Sequence, residues 1–134
     1  MGLYVMNADG TGIRQVGHTA GDVSAGWPVW SPDGTRIAFQ RARGETGSHG
    51  YPLYSYAVVR LLDDKVVATG PTLSVDTLAA WSPDGKRILL LLTSSGTQRQ
   101  LLLDPDGGPS TEVPWSAVGG DWERLAPQPA GALP

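Results

Sequence analysis

An eight-residue segment occurs twice in this chain and limits the folds open to it. Residues 30–37 read WSPDGTRI and residues 81–88 read WSPDGKRI, so the two copies lie 51 residues apart. A degenerate third copy begins around Trp122, 41 residues after Trp81. Spacings of about 40 to 50 residues are typical of tandem supersecondary units. The chain is therefore expected to consist of repeated units of that size.

Each copy of the segment predicts a β-hairpin. A short strand leads to the tryptophan, proline presets φ in the turn, glycine takes its left-handed position, and an apolar strand follows. The second of these strands, residues 87–92, is apolar at the consecutive positions 88–92, which is typical of a strand covered on both faces. The residues assigned to the structural repeat are Trp30, Pro32, Asp33, Gly34, Trp81, Pro83, Asp84, Gly85 and Trp122.

A second pattern completes each unit. Residues 3–10 (LYVMNADG) match residues 101–107 (LLLDPDG) in character, and each stretch predicts a third strand with its turn. Fourth strands are predicted at residues 13–16 and 110–113, and the middle unit supplies a weaker pair at 56–62 and 65–69. Every unit thus predicts a four-stranded antiparallel meander, and the fold class is all-β. A polar, glycine-rich insertion at residues 41–50 lengthens the middle unit, and we expect it to be mobile.

The composition limits the classes of partner that this chain is expected to bind. The chain has 10 Lys and Arg against 13 Asp and Glu, a formal charge of −3 that favours neither nucleic acid nor an anionic membrane surface. Its longest apolar run, residues 88–92, is far shorter than the roughly 20 residues of a membrane-spanning helix, so no membrane insertion is expected. The absence of cysteine excludes disulfides, thiolate catalysis and cysteine-ligated zinc.

The two patterns together resemble the TolB-type β-propellers, the WD-like Pro-Asp repeat family. The resemblance rests on the WSPDG(T/K)RI hairpin and on the LYVMNADGTG strand of residues 3–12, found in register from residue 3 to residue 125. It implies blades around a central channel, typically six, that serve as a binding scaffold, often in the bacterial periplasm or outside the cell. The first residues lack the basic and apolar segments of a secretory signal, so the compartment stays open.

The repeats divide the chain into parts of unequal completeness. Residues 1–126 are expected to form a partial propeller of about 2.5 to 3 blades, followed by a proline-rich tail at 127–134. Within it, residues 3–17 give the outer strands of a split blade, 24–70 and 75–114 give two blades, and 118–125 give an inner strand. A ring needs roughly four to eight blades, so additional strands have to cover the open ends.

Two sources could supply those strands. In the first, a second copy of the chain completes the split blades, which predicts a closed homodimer with a six-bladed ring. The shared blade would lack one strand, because the tail after Trp122 shows no second strand pattern. In the second, the chain is a fragment of a longer propeller.

Candidate partner-binding residues lie mainly between the units, where propellers usually receive ligands. The candidates are His18, Asp22, Ser24, Trp27, Ser74, Asp76, Thr77 and Trp115; capping and solvation of the strand starts would equally explain the polar ones. The aspartates before glycine are read as caps of turn amides rather than calcium ligands, and no metal or cofactor is expected.

The sequence contains no nucleophile elbow, zinc-protease or phosphate-loop motif. We therefore expect a non-catalytic scaffold for a protein or peptide partner at the channel mouth. Two alternatives are an accessory propeller domain of a hydrolase, and a truncated or designed propeller fragment with no ligand.

Overall fold

A computed structural model describes residues 1–73, 76–94 and 97–113, and these residues form ten β-strands. The strands are β1 (Leu3–Val5), β2 (Arg14–Val16), β3 (Ser24–Trp30), β4 (Arg36–Thr46), β5 (Pro52–Arg60), β6 (Lys65–Leu73), β7 (Asp76–Trp81), β8 (Ile88–Ser94), β9 (Thr97–Leu103) and β10 (Thr111–Val113). The all-β prediction is confirmed. Among the described residues no helix could cross a bilayer.

The strands form three antiparallel sheets in chain order. Sheet I pairs β1 with β2, sheet II runs β3-β4-β5-β6, and sheet III runs β7-β8-β9-β10. Each strand pairs with its neighbour in sequence, as expected for meanders joined by short turns. Sheets II and III thus have the strand order predicted from the repeat.

The sheets stack because the strands of sheet II are apolar on both faces. On β4, Ile37 and Phe39 pack with Leu3 and Val16 of sheet I, whereas Ala38 packs with the side chains of sheet III. Strand β5 alternates in the same way: Ala57 and Val59 join the first cluster, and Tyr56 and Val58 join the second. Sheet II therefore lies between two hydrophobic layers.

The contact between sheets II and III holds the larger cluster. Sheet III contributes Trp81, Ile88, Leu90, Leu92, Leu101 and Leu103 to it. Ile88 and Leu103 are fully buried. Burying one such aliphatic side chain is worth roughly 1.5 to 3 kcal/mol, so this layer is a major contribution to stability.

Sheet I corresponds to the outer half of sheet III. Leu3 pairs with Val16, and 97 residues further on Gln100 pairs with Val113. Asp9 and Asp106, in the turns that follow β1 and β9, are also 97 residues apart. By this register β1 and β2 are equivalent to β9 and β10, and the equivalents of β7 and β8 beside them are missing from the described residues.

The predicted insertion at residues 41–50 is divided between strand β4, which takes residues 41–46, and the turn to β5. β4 continues to Thr46 and β5 begins at Pro52, and these two residues are paired across the hairpin. The turn is closed by hydrogen bonds from Gly47 N to Tyr51 O at 2.8 Å and from Gly50 N to Gly47 O at 2.9 Å. The segment was expected to be an insertion between strands, but its first six residues extend β4 and only the rest form the connection to β5.

Candidate partner-binding site

The two complete copies of the hairpin segment have the same turn geometry. Ser31 is buried, and its hydroxyl donates to Asp33 Oδ1 at 2.6 Å and accepts from Arg36 N at 3.0 Å. Ser82 repeats these contacts with Asp84 and Arg87 at 2.7 and 3.0 Å. The serine thus links the two ends of each turn, a role that the sequence analysis did not assign to it.

The aspartates of these turns accept hydrogen bonds from nearby residues. Asp33 Oδ1 accepts from Thr35 N at 3.0 Å and from Thr35 Oγ1 at 2.8 Å. Bonds from Ser31, and then from Thr35, lower the pKa of Asp33 to about 2. In the second copy the bond from Ser82, followed by that from Lys86 N, lowers the pKa of Asp84.

The turn prolines and glycines have the positions that the hairpin requires. Gly34 and Gly85 both have left-handed φ values, of 71° and 69°. Pro32 precedes Asp33 on the exposed side of its turn, and Pro83 is half-buried in the other.

Among the described residues no group of three or more His, Cys, Asp or Glu side chains could hold a metal ion.

Trp81 is held in the contact between sheets II and III. Its side chain is buried, and its indole N–H donates to Val29 O on β3 at 3.0 Å. The Arg36 guanidinium lies over the indole ring, 5.0 Å from its centroid, and also donates to Gly85 O at 2.9 Å. Sheet II therefore supplies both a backbone acceptor and a cation to the tryptophan of sheet III.

Trp30, the equivalent residue of sheet II, is 52% exposed. It pairs with Ile37 across β3 and β4, and Ile37 packs towards sheet I, so Trp30 lies on that face of the sheet. Sheet I covers Ile37 and Phe39 with β1 and β2, but the described residues place no inner strand over Trp30. Its predicted packing role between blades stays a prediction.

Trp27 has an unusual backbone conformation. Its φ is 54°, in the left-handed region that bulky residues rarely adopt, and its side chain is 72% exposed. It lies in an irregularity of the pairing between β3 and β4, where Gly26 pairs with Gln40 and Val29 with Ala38. Trp27 and Pro28 together oppose one residue, which is the arrangement of a β-bulge. The bulge displays a large aromatic side chain on the edge strand of sheet II.

A polar loop precedes that strand. Asp22 Oδ2 accepts from Thr19 N and Thr19 Oγ1, both at 2.8 Å, and closes the loop. Its Oδ1 lies 3.7 Å from Arg41 and from Arg43, and the Asp22 and Arg41 side chains are only 4% and 9% exposed. The predicted candidate Asp22 is therefore engaged within the loop and offers little surface to a partner.

His18 and Ser24 lie near Asp22 beside a shallow groove of about 280 Å³. Its lining includes Met1, Tyr4, Gln15 and Val23, so it runs between sheet I and the start of β3. His18 is exposed and Ser24 is half-buried. These two candidates are brought together, and Trp27 follows Ser24 by three residues on the same strand.

No family model and no curated protein matches this chain.

The remaining candidates are separated from this site or not described. Asp76 and Thr77 lie at the start of β7, paired with Thr93 and Leu92 of β8. Ser74, Trp115 and Trp122 lie outside the described residues, as do the predicted strand at 118–125 and the tail at 127–134. The bulge at Trp27 was not foreseen, although Gly26 and Pro28 on both sides of an aromatic residue are a sequence signal for one.

Proposed function

We propose that this chain is a non-catalytic β-propeller scaffold that binds a protein or peptide segment, with sheets II and III as consecutive blades. Two meanders of equal strand order stacked face to face, each opened by the same tryptophan turn, support the propeller assignment. In this arrangement β3 and β7 are the inner strands, next to the central channel.

The single observation that carries the binding role is the conformation of Trp27. A left-handed backbone costs a non-glycine residue roughly 1 to 2 kcal/mol, and exposing an indole gains nothing for folding. Strained residues that present a side chain to solvent are concentrated at binding and active sites. Tryptophan is also the side chain most often found as an energetic anchor in protein interfaces. Trp27 is therefore assigned as the anchor for a partner.

The surroundings of Trp27 favour an extended peptide over a compact small molecule. The groove beside His18 and Ser24 is open and polar, and its lining on β3 extends to Ala25, two residues before Trp27. An apolar or proline side chain of the peptide would stack on Trp27, and its backbone would hydrogen-bond to the polar groups of the groove. Because Asp22 already bonds Thr19 and lies beside two arginines, the peptide would meet a loop that is held in place.

Selection from a random peptide library on the immobilised full chain tests this function. Peptides enriched on the wild type should bind Trp27→Ala at least about 30-fold more weakly, the loss expected for an anchor worth about 2 kcal/mol. Leu62→Ala is the matched control, because Leu62 is 92% exposed in the β5–β6 turn, away from the groove. The Leu62→Ala variant should bind the enriched peptides with the affinity of the wild type. A library that yields no enriched peptide, or peptides that bind Trp27→Ala as well as the wild type, would refute the assignment.

A further inference from the structure

We infer that a pocket between sheets II and III binds a phosphate group, carried either by free phosphate or by a small phosphate monoester. The pocket is lined by Arg36, Arg60 and Lys65 of sheet II and by Pro105 and Asp106 in the turn after β9. None of these residues lines the groove beside His18 and Ser24. The phosphate site is therefore separate from the proposed peptide site.

The three cations occupy one row across sheet II. Arg36 of β4 is paired with Arg60 of β5, and Arg60 is paired with Lys65 of β6. Directly opposite residues share a face of the sheet, and like charges at such positions are destabilising. The row lies on the face towards sheet III, because Ala38 and Val58, two residues along their strands, pack there. The row is favourable only if negative charge lies beside it.

Two carboxylates supply part of that charge. Asp63 accepts from the Arg60 guanidinium with both of its oxygens. Asp106 accepts from Arg36 Nη1 at 3.3 Å. Lys65 forms no ion pair with any residue in the part of the chain that the structure describes. Three cations thus face two carboxylates, which leaves a local positive excess in a chain whose formal charge is −3.

Arg36 is already oriented for an anion. Its guanidinium lies over the Trp81 ring, 5.0 Å from the centroid, and its Nη2 donates to Gly85 O at 2.9 Å. These two contacts hold the plane of the group and leave Nη1 for the bond to Asp106. Binding an anion at Nη1 therefore requires little further ordering of the side chain. The Arg36 side chain is only 21% exposed, so water screens its charge less than on an open surface.

Asp106 is the group that a stronger anion would replace. Its side chain is 86% exposed, and the bond to Arg36 is the one that its carboxylate makes within the described ranges. An ion pair with so exposed a partner contributes at most about 1 kcal/mol, so the carboxylate can turn to solvent at small cost. The pocket would then have two positive charges in excess.

Charge and size together favour phosphate over other anions. A phosphate monoester has a charge of about −1.5 to −2 at pH 7, which matches that excess, whereas a carboxylate ligand has only one charge. Arginine also binds phosphate oxygens in a fixed, forked geometry. The pocket volume is about 160 Å³, below the roughly 300 to 1,000 Å³ of sites for drug-sized ligands. A phosphate group with a short stem is the ligand of that size.

Titration of the ¹⁵N-labelled full chain with inorganic phosphate, at constant ionic strength, is the first measurement. The amide signals of Arg36, Lys65 and Asp106 should shift saturably, with a Kd of about 1 mM or tighter. Acetate should bind at least about tenfold more weakly. Glycerol 3-phosphate is the second arm: tighter binding than phosphate assigns the ligand to monoesters, and weaker binding assigns it to free phosphate.

Two variants should change the phosphate affinity in opposite directions. Lys65→Gln removes a cation and should weaken binding about fivefold, whereas Asp106→Asn removes the competing carboxylate and should strengthen binding about fivefold. Both side chains are exposed, so neither substitution alters the core.

Matched controls remove the same charges outside the pocket. Asp9→Asn alters the equivalent turn after β1, and Arg99→Gln alters a cation on β9 that is paired with Glu112. Both should bind phosphate as the wild type does, and so should Trp27→Ala, which separates this result from the peptide-binding test. A wild type with no saturable shift up to about 20 mM phosphate, or equal changes in Asp106→Asn and Asp9→Asn, would overturn the phosphate site.

Discussion

The indole N–H of Trp81 donates to the carbonyl oxygen of Val29 across two sheets, at 3.0 Å. Val29 directly precedes Trp30, so one hairpin segment supplies the acceptor for the tryptophan of the next. The contact joins two copies of the repeat through their equivalent strands. It explains why the tryptophan occurs at repeat spacing and why its loss should affect the whole stack.

Substitution of Trp81 should lower the free energy of unfolding by an amount that grows with the part of the side chain removed. Trp81→Phe removes the hydrogen bond and part of the ring, and should lower the free energy of unfolding by about 2 kcal/mol. Trp81→Ala also leaves a cavity beneath Arg36 and should cost about 3 to 5 kcal/mol. Urea unfolding of both variants measures this. Tyr51→Ala, at an exposed aromatic residue, is the control and should stay within about 0.5 kcal/mol of the wild type. An unchanged Trp81→Phe would mean that the hydrogen bond contributes nothing.

Gly17 should tolerate alanine less well than Gly34 does. Both have left-handed φ values, 69° and 71°, so each alanine variant should lose roughly 1 to 2 kcal/mol from backbone strain. A Cβ on Gly17 would also lie 3.0 Å from the buried Phe39 ring, whereas one on Gly34 would meet nothing within 4 Å. Gly17→Ala should therefore lose about 1 to 3 kcal/mol more, measured by thermal or urea unfolding. Equal losses in the two variants would show that the Phe39 contact is relaxed at no cost.

Removal of the Asp22 carboxylate should loosen the loop at residues 17–23. Asp22→Ala breaks two hydrogen bonds to Thr19 and leaves the Arg41 guanidinium buried beside no anion. Breaking a buried pair from one side is strongly destabilising, and a loss of about 3 kcal/mol is expected. Amide hydrogen exchange of Thr19 should accelerate with it. Glu45→Ala removes an exposed carboxylate from β4 and should change neither quantity.

The pKa of Asp33 should depend on Ser31. The Ser31 hydroxyl is the main cause of the lowered pKa, about 2, so Ser31→Ala should raise the Asp33 pKa towards its ordinary value of 3.8. A folded-state pKa below the unfolded one stabilises the fold above about pH 4, and this contribution is lost as the pH falls towards 2. Carbon-detected NMR titration of the Asp33 carboxyl measures the shift. In Ser48→Ala, which alters an exposed hydroxyl in another turn, the Asp33 midpoint should stay near 2; a midpoint near 2 in Ser31→Ala would contradict the assignment.

Local patterns predicted the strand order well. The repeated turns place their aspartate and glycine where a tight hairpin needs them, and the apolar run at residues 88–92 lies in β8, where Ile88, Leu90 and Leu92 pack towards sheet II. The cover expected on the other face of β8 stays a prediction. These features depend on residues adjacent in sequence, so a single chain is sufficient to interpret them. The continuation of β4 to Thr46 was missed, because its residues 43–46 are all exposed and give no alternating pattern, and because the buried Arg41 is charged.

The candidate site could be predicted only in part. Sequence position suggested that His18, Asp22 and Ser24 lie together, but it could not show that Asp22 turns inward to Thr19 and Arg41. The sequence also could not predict that Trp81 is buried and Trp30 half-exposed, since both residues occur in the same local sequence. It depends on which strands of the preceding sheet lie opposite, and that is a long-range relationship.

The bulge at Trp27 and Pro28 also has a consequence for solubility. β3 is an edge strand, and a regular edge offers a row of free N–H and C=O groups to any other extended chain. Proline lacks an N–H, and the bulge breaks the even spacing of the groups around it. Unrelated strands would find no continuous ladder along β3, so the irregularity that exposes an indole also protects this edge against amyloid-like growth.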